Sequence, residues 1–112
     1  MQVTNHNSVP FLKSLTTCLN RIVAEGYTED FKLEQEHLTA LQHNRHYWPQ
    51  QLKVINSFRF EGFSNPNDNA ILYLIETFDG LKGTLLDAFN LSNPSQINDF
   101  IREVENTQRK AV

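Results

Sequence analysis

Apolar residues along the chain follow two spacings, one suited to helices and one to strands. Between Phe11 and Val23 they recur three and four apart, at Leu12, Leu15, Leu19 and Ile22, with Phe11, Cys18 and Val23 widening the same face. That stripe predicts an amphipathic helix. Ser8 is placed to cap it with Pro10 in its first turn, and Gly26 sits where a helix ends in a left-handed residue. From Tyr27 to Glu34 the period falls to two: Tyr27, Phe31 and Leu33 face one way, Thr28, Asp30 and Lys32 the other, as in a half-buried strand. The pattern fades over Gln35–Tyr47, which reads either as the strand continuing through Leu38 and Leu41 or as a loop. Trp48-Pro49-Gln50-Gln51-Leu52 predicts a single helical turn with proline at its first position.

Leu52–Phe89 then carries consecutive strands. Lys53–Glu61 alternates, setting Val54, Phe58 and Phe60 against Ile55, Ser57 and Arg59. Ala70–Thr77 is apolar on both faces, as a central strand is. Asp79-Gly80 predicts a two-residue hairpin of type I′, which needs positive φ at both positions. Lys82–Ala88 closes the meander, with Gly83 marking a bulge or a place where a neighbour lies across the strand. Asn93 caps a second helix, with Pro94 at its first position, Gln96 closing a capping box, and Ile97, Phe100, Ile101 and Val104 as its stripe.

These elements predict one α+β domain over residues 8–105, in the order α-β-β-β-β-α. Its sheet is expected to be antiparallel and four-stranded, the meander plus the N-terminal strand, with two helices packed on one face. The first strand pairs either beside Lys53–Glu61 or at the far edge. Residues 1–7 and 106–112 read as flexible ends.

The 112 residues suit a single domain, and 39% hydrophobic with 21% charged residues is ordinary for a folded chain. Net charge is −3 with both signs interspersed, so no basic stripe exists for duplex nucleic acid. A single cysteine, Cys18, excludes an internal disulfide and a thiolate cluster, and its place on an apolar helix face makes it a core residue. The start, MQVTNHNSVP, reads as no secretory leader, and the longest apolar run, Ala70–Ile75, falls well short of the ~20 residues of a membrane span. A cytoplasmic protein without a membrane segment is expected.

Candidate chemistry gathers in two stretches. Glu61–Asn69 offers many side-chain oxygens, although Gly62, Asn65-Pro66 and Asp68 are also turn formers and no EF-hand pattern is present. Arg59 with Glu61 on its strand face, and Glu76 across from them, would grip a carboxylate or phosphate. The expected ligand-binding set is therefore Arg59, Glu61, Ser64, Asn65, Asp68 and Glu76. In the second stretch, His43 and His46 are three apart, a spacing that serves a metal only on a helix with a third ligand, and His37 completes no known spacing. No metal or other cofactor is assigned. Arg45, Tyr47 and Trp48 form instead a set suited to stacking on a partner. Asp87 would serve as a general base only if buried beside a partner. No G-x-S-x-G, phosphate-cradling glycine loop or H-E-x-x-H is present.

Gly26-Tyr27, Phe31, Arg59-Phe60-Glu61-Gly62, Ser64, Pro66, Asp68, Tyr73, Asp79-Gly80, Lys82-Gly83 and Asp87-Ala88-Phe89 together resemble the pattern of a family of small bacterial proteins, chiefly from the Bacteroidetes. Asn90 stands where that family commonly has glycine. Its members are often labelled phosphoribosylpyrophosphate synthetase. Enzymes of that reaction are several times longer and use an acidic phosphoribosyl-binding loop with a flexible catalytic loop, so the resemblance implies a fold and not an activity. The expected function is a small non-enzymatic ligand-binding or regulatory domain with its site at residues 59–69. The alternative is a protein-interaction module acting through a sheet edge or the 43–48 loop, and a third reading, a phosphoribosyl-handling enzyme, rests on the family label alone.

Overall fold

The computed structural model describes residues 11–61, 68–90 and 95–110. Its elements are helix α1 (Phe11–Ala24), strands β1 (Glu29–Glu34), β2 (His37–Ala40) and β3 (Arg45–Tyr47), a 3-10 turn (Pro49–Gln51), strands β4 (Leu52–Glu61), β5 (Asp68–Thr77) and β6 (Lys82–Asn90), and helix α2 (Gln96–Lys110). The class is α+β. The sheet, however, has six strands in the order β3-β2-β1-β6-β5-β4, and β1 pairs parallel with β6 while every other pair is antiparallel. Among the described residues no helix is long and apolar enough to cross a membrane.

A short link forces this sheet to roll. β3 and β4 are its opposite edges, which in a flat six-stranded sheet would lie about 24 Å apart. The chain from Tyr47 to Leu52 reaches at most about 17 Å. The concave side of the roll holds Phe31, Leu38, Tyr47, Leu52, Tyr73, Ile75 and Leu85 against Phe100, Ile101 and Val104 of α2. On the convex side, Leu15, Cys18 and Ile22 of α1 pack on Phe60, Ala70, Leu72 and Leu74. Alternate residues of β5 thus enter different clusters, so the two helices cover opposite faces rather than one. The apolar character of β5 on both sides is the reason, because each face has to be shielded from water.

The missed strands, β2 and β3, follow tight turns made without glycine. Gln35 (φ 57°) and Asn44 (φ 53°) are the non-glycine residues at positive φ among those described. β4 also departs from simple alternation, because its register slips between Val54 and Asn56. The extra residue, Ile55, is 43% exposed. Beyond it the faces exchange: Val54 packs towards α2, whereas Phe58 and Phe60 pack towards α1.

The β5–β6 hairpin is closed by a three-residue loop and not by a two-residue type I′ turn. Gly80 N–H donates to Thr77 O (3.1 Å), Thr77 N–H donates to Leu81 O (2.9 Å), and Gly80 alone in the turn has positive φ, at 96°. Thr77 and Asp79 explain the choice: the Thr77 hydroxyl accepts from Leu81 N–H (2.9 Å) and donates to Asp79 Oδ1 (2.5 Å). Helix α1 ends as expected, with Tyr27 N–H donating to Ile22 O and Gly26 N–H to Val23 O, but Val23 is exposed. The Ser8 cap and the Asn93-Pro94 start lie outside the described residues. α2 begins at Gln96, and Ser95 Oγ accepts from Ile97 N–H (2.9 Å) as its cap. Rather than loosening after Glu105, α2 runs to Lys110, and Gln108 both accepts from Val54 N–H (3.1 Å) and donates to Val54 O (3.4 Å).

Gly83 is where β1 crosses β6: a Cβ there would stand 2.1 Å from the backbone oxygen of Glu29. Gly83→Ala is expected to cost at least about 3 kcal/mol, the upper end of ordinary overpacking, because the clash is with backbone that joins the sheet's two halves. Urea unfolding followed by circular dichroism checks it; a loss below about 1 kcal/mol would show that β1 moves aside freely.

Candidate functional site

The sequence-predicted ligand set does not assemble. Arg59 is exposed on β4 opposite Ile71, while Glu76 lies at the other end of β5, between Lys53 and Lys82. Arg59 follows the parity of Ile71 and Tyr73, and Glu76 that of Leu72 and Leu74, so the two side chains also leave opposite faces. Antiparallel pairing causes this, because the end of β5 runs beside the start of β4. Ser64 and Asn65, and the side chains of Glu61 and Asp68, lie outside the described residues.

Of the predicted partner-binding set, two members are bonded within the chain. Tyr47 is buried, its hydroxyl donates to Asp79 Oδ2 (2.9 Å), and Arg45 Nη1 donates to the same oxygen (3.2 Å). These bonds pin β3 to the β5–β6 hairpin. Burial, ahead of the Asp79 contact, pushes the Tyr47 hydroxyl above its ordinary value. Trp48 remains 48% exposed. His43 and His46 separate: the His43 ring is bonded through Nδ1 to buried Glu29 (2.5 Å) at the turn after β2. Asp87 is buried opposite Ile71, on the face that α2 covers, and its Oδ2 has no hydrogen-bond partner among the described residues. Burial first, then the charges of Asp87 and Glu105, raise the Tyr73 hydroxyl nearby.

A different group comes together on the convex face of β1–β3. Pairing sets Glu34 opposite His37, Lys32 opposite Thr39, and Thr39 opposite His46, all on the side away from Leu38 and Tyr47. Glu34, His37 and His46 each offer one ligand atom, and these atoms all lie within 4.8 Å of one another. The rings of His37 and His46 meet edge to face at 4.7 Å between centroids, and Trp48 closes one side at 5.4 Å from His37. Thr39 forms the floor. Only 4% exposed, it bonds Glu34 Oε1 and lies 3.0 Å from His46 Nδ1. The cluster of α1 contains no described residue of β1–β3, so among the described residues neither helix cluster covers this face.

The Thr39 hydroxyl, aided by the positive charge of Lys32 and of His37 and His46 when protonated, holds the Glu34 carboxyl below its ordinary range. The result is a carboxylate beside two imidazoles, a donor set for a metal ion or for a polar ligand that accepts and donates together. Sequence spacing hides the group because 34, 37 and 46 come from three strands. The available signal was the turn chemistry: Gln35-Glu36 brings Glu34 to His37, and Leu41–Asn44 brings Thr39 to His46. No family model, curated protein or solved structure matches the chain.

The Asp79 carboxyl is held below its ordinary range first by the Thr77 hydroxyl, then by Tyr47, its own backbone N–H and Arg45. A lowered value in the folded state stabilises the fold above the usual carboxylate pKa of ~3.9, and that stability is lost as pH falls through the lowered value. Thermal melts from neutral to acid pH are expected to show Asp79→Asn below the wild type at neutral pH, the two converging on acidification. Parallel curves at all pH values would show that the carboxylate charge plays no part.

Proposed function

We propose that the chain is a small, non-enzymatic ligand-binding domain whose binding surface is the convex face of β1–β3. One observation carries the reading: Glu34, His37 and His46 converge over the buried Thr39 hydroxyl on a face left uncovered by the α1 cluster. Ordinary surface strands keep polar side chains apart in water, whereas these share a desolvated hydroxyl and stand on strands whose register fixes their spacing. A ligand meeting them loses little freedom in the protein, which is how a small domain reaches useful affinity.

The non-enzymatic part rests on what the nucleophile does. Cys18 is buried on the inner face of α1, and burial pushes its thiol above the ordinary value, which disfavours the thiolate that would react. The resemblance to the small bacterial family is compatible with this class and adds no activity to it.

A protein partner is the second reading, favoured by the exposed Trp48 ring beside edge strand β3. The other edge suits strand addition less well, because Gln108 already occupies the backbone of Val54. A panel of divalent cations, small carboxylates and nucleotides titrated into nitrogen-labelled protein is expected to shift amides of residues 32–48 together. Shifts gathered instead around residues 59–69 would move the site to the β4–β5 end, and no clustered shift from any of them would sink the ligand-binding reading. Sedimentation at rising concentration reports the second reading: association that Trp48→Ala abolishes would favour it.

A further inference from the structure

The geometry points to a divalent transition-metal ion, of the zinc class, as the ligand of the β1–β3 face, bound by Glu34, His37 and the Nε2 atom of His46, with Thr39 as its positioning residue. This inference rests on the binding face argued above and names what that face takes.

The donor set decides the class. Two imidazoles and one carboxylate suit Zn²⁺, Co²⁺, Ni²⁺ or Cu²⁺, whereas Ca²⁺ and Mg²⁺ prefer oxygen throughout. Ligand atoms of a tetrahedral zinc ion lie about 3.3 Å apart, given metal–ligand bonds of ~2.0–2.2 Å. One ligand atom from each of Glu34, His37 and His46 lies within 4.8 Å of the others, and a turn of either ring changes which nitrogen faces the ion. Closing that difference takes small side-chain rotations, which groups partly open to solvent can make while the strand backbones stay in register. Three protein ligands leave at least one coordination position for water or for an exogenous donor.

Thr39 settles which nitrogen of His46 binds. A carboxylate only accepts hydrogen bonds, so the one hydroxyl proton of Thr39 goes to Glu34. The same oxygen, 3.0 Å from His46 Nδ1, then accepts from that nitrogen, which must carry hydrogen. Neutral His46 therefore has its lone pair on Nε2. Hydrogen bonds behind the ligands commonly set the tautomer and aim of metal-binding histidines in this way. At 4% exposure, the Thr39 hydroxyl has little access to water that could replace either partner. One buried hydroxyl thus orients two of the three ligands.

The single tryptophan supplies a reporter, since Trp48 stands 5.4 Å from the His37 ring. Zinc chloride titrated by calorimetry into the metal-free, tag-free full chain is expected to bind one ion per chain at low-micromolar Kd or tighter, with a matching change in Trp48 fluorescence. His46→Ala, His37→Ala and Glu34→Gln should each weaken binding at least tenfold, and Thr39→Val by about 10–100-fold, the usual effect of losing such a partner. Thr39→Ser should restore the affinity, while His43→Ala, outside the cluster, should leave it unchanged. Long-range nitrogen–proton spectra of the metal-free protein should show hydrogen on Nδ1 of His46, and Thr39→Val should lose that preference. Absence of zinc binding by the wild type overturns the metal inference, and clustered shifts at residues 32–48 with another ligand would still leave the binding domain standing. Zinc binding indifferent to His46→Ala overturns the site, and a His46 proton on Nε2 in the metal-free wild type overturns the role of Thr39.

Discussion

The whole arrangement depends on a linkage only four residues long. Trp48–Gln51 join the two edges of one sheet, and no flat sheet permits it. Rolling the sheet satisfies the link and gives α2 a concave bed, where Phe100, Ile101 and Val104 meet residues from β1 through β6. Pro49 and Gln51 hold the corner: Gln51 accepts from Trp48 N–H through Oε1 and gives its carbonyl to Phe78 N–H, both at 2.9 Å. With α2 inside, α1 packs on the convex side of β4 and β5. β1–β3 contribute no described residue to the α1 cluster, and the polar ring cluster forms on their convex side. Fold and candidate site are two results of one geometric limit.

What the sequence made legible was whatever repeats. Both helices, the long strands and the proline-led turn announce themselves by spacing that local physics enforces. β2 and β3 did not, since strands of four and three residues offer too few alternations, and their turns use Gln35 and Asn44 where glycine would signal a reversal. A left-handed glutamine is costly by about 1–2 kcal/mol, so the surrounding hairpin must enforce it. Ile55 shows a second limit: one inserted residue reversed the facing of half a strand, and nothing in its identity marks it as the insertion.

The candidate site was hidden for a related reason. Sequence motifs find metal ligands on one helix or in one loop, but here each ligand comes from a different strand and pairing alone unites them. Thr39 was still less visible, because a polar residue in a short strand reads as solvent-facing, whereas it is 4% exposed. The opposite error attached to Arg59 and Glu76, which look adjacent in composition but are held at opposite ends of β4 and β5.

The carboxamide of Gln108 has the same donor and acceptor as a peptide group, and it meets both backbone groups of Val54. α2 therefore occupies one backbone position of the edge strand β4, while the other edge, β3, is three residues long. The rim of β4 is thus interrupted at Val54, which shortens the stretch against which another strand could pair. Loss of the last turn of α2 would therefore free both backbone groups of Val54, on an edge strand, for another partner.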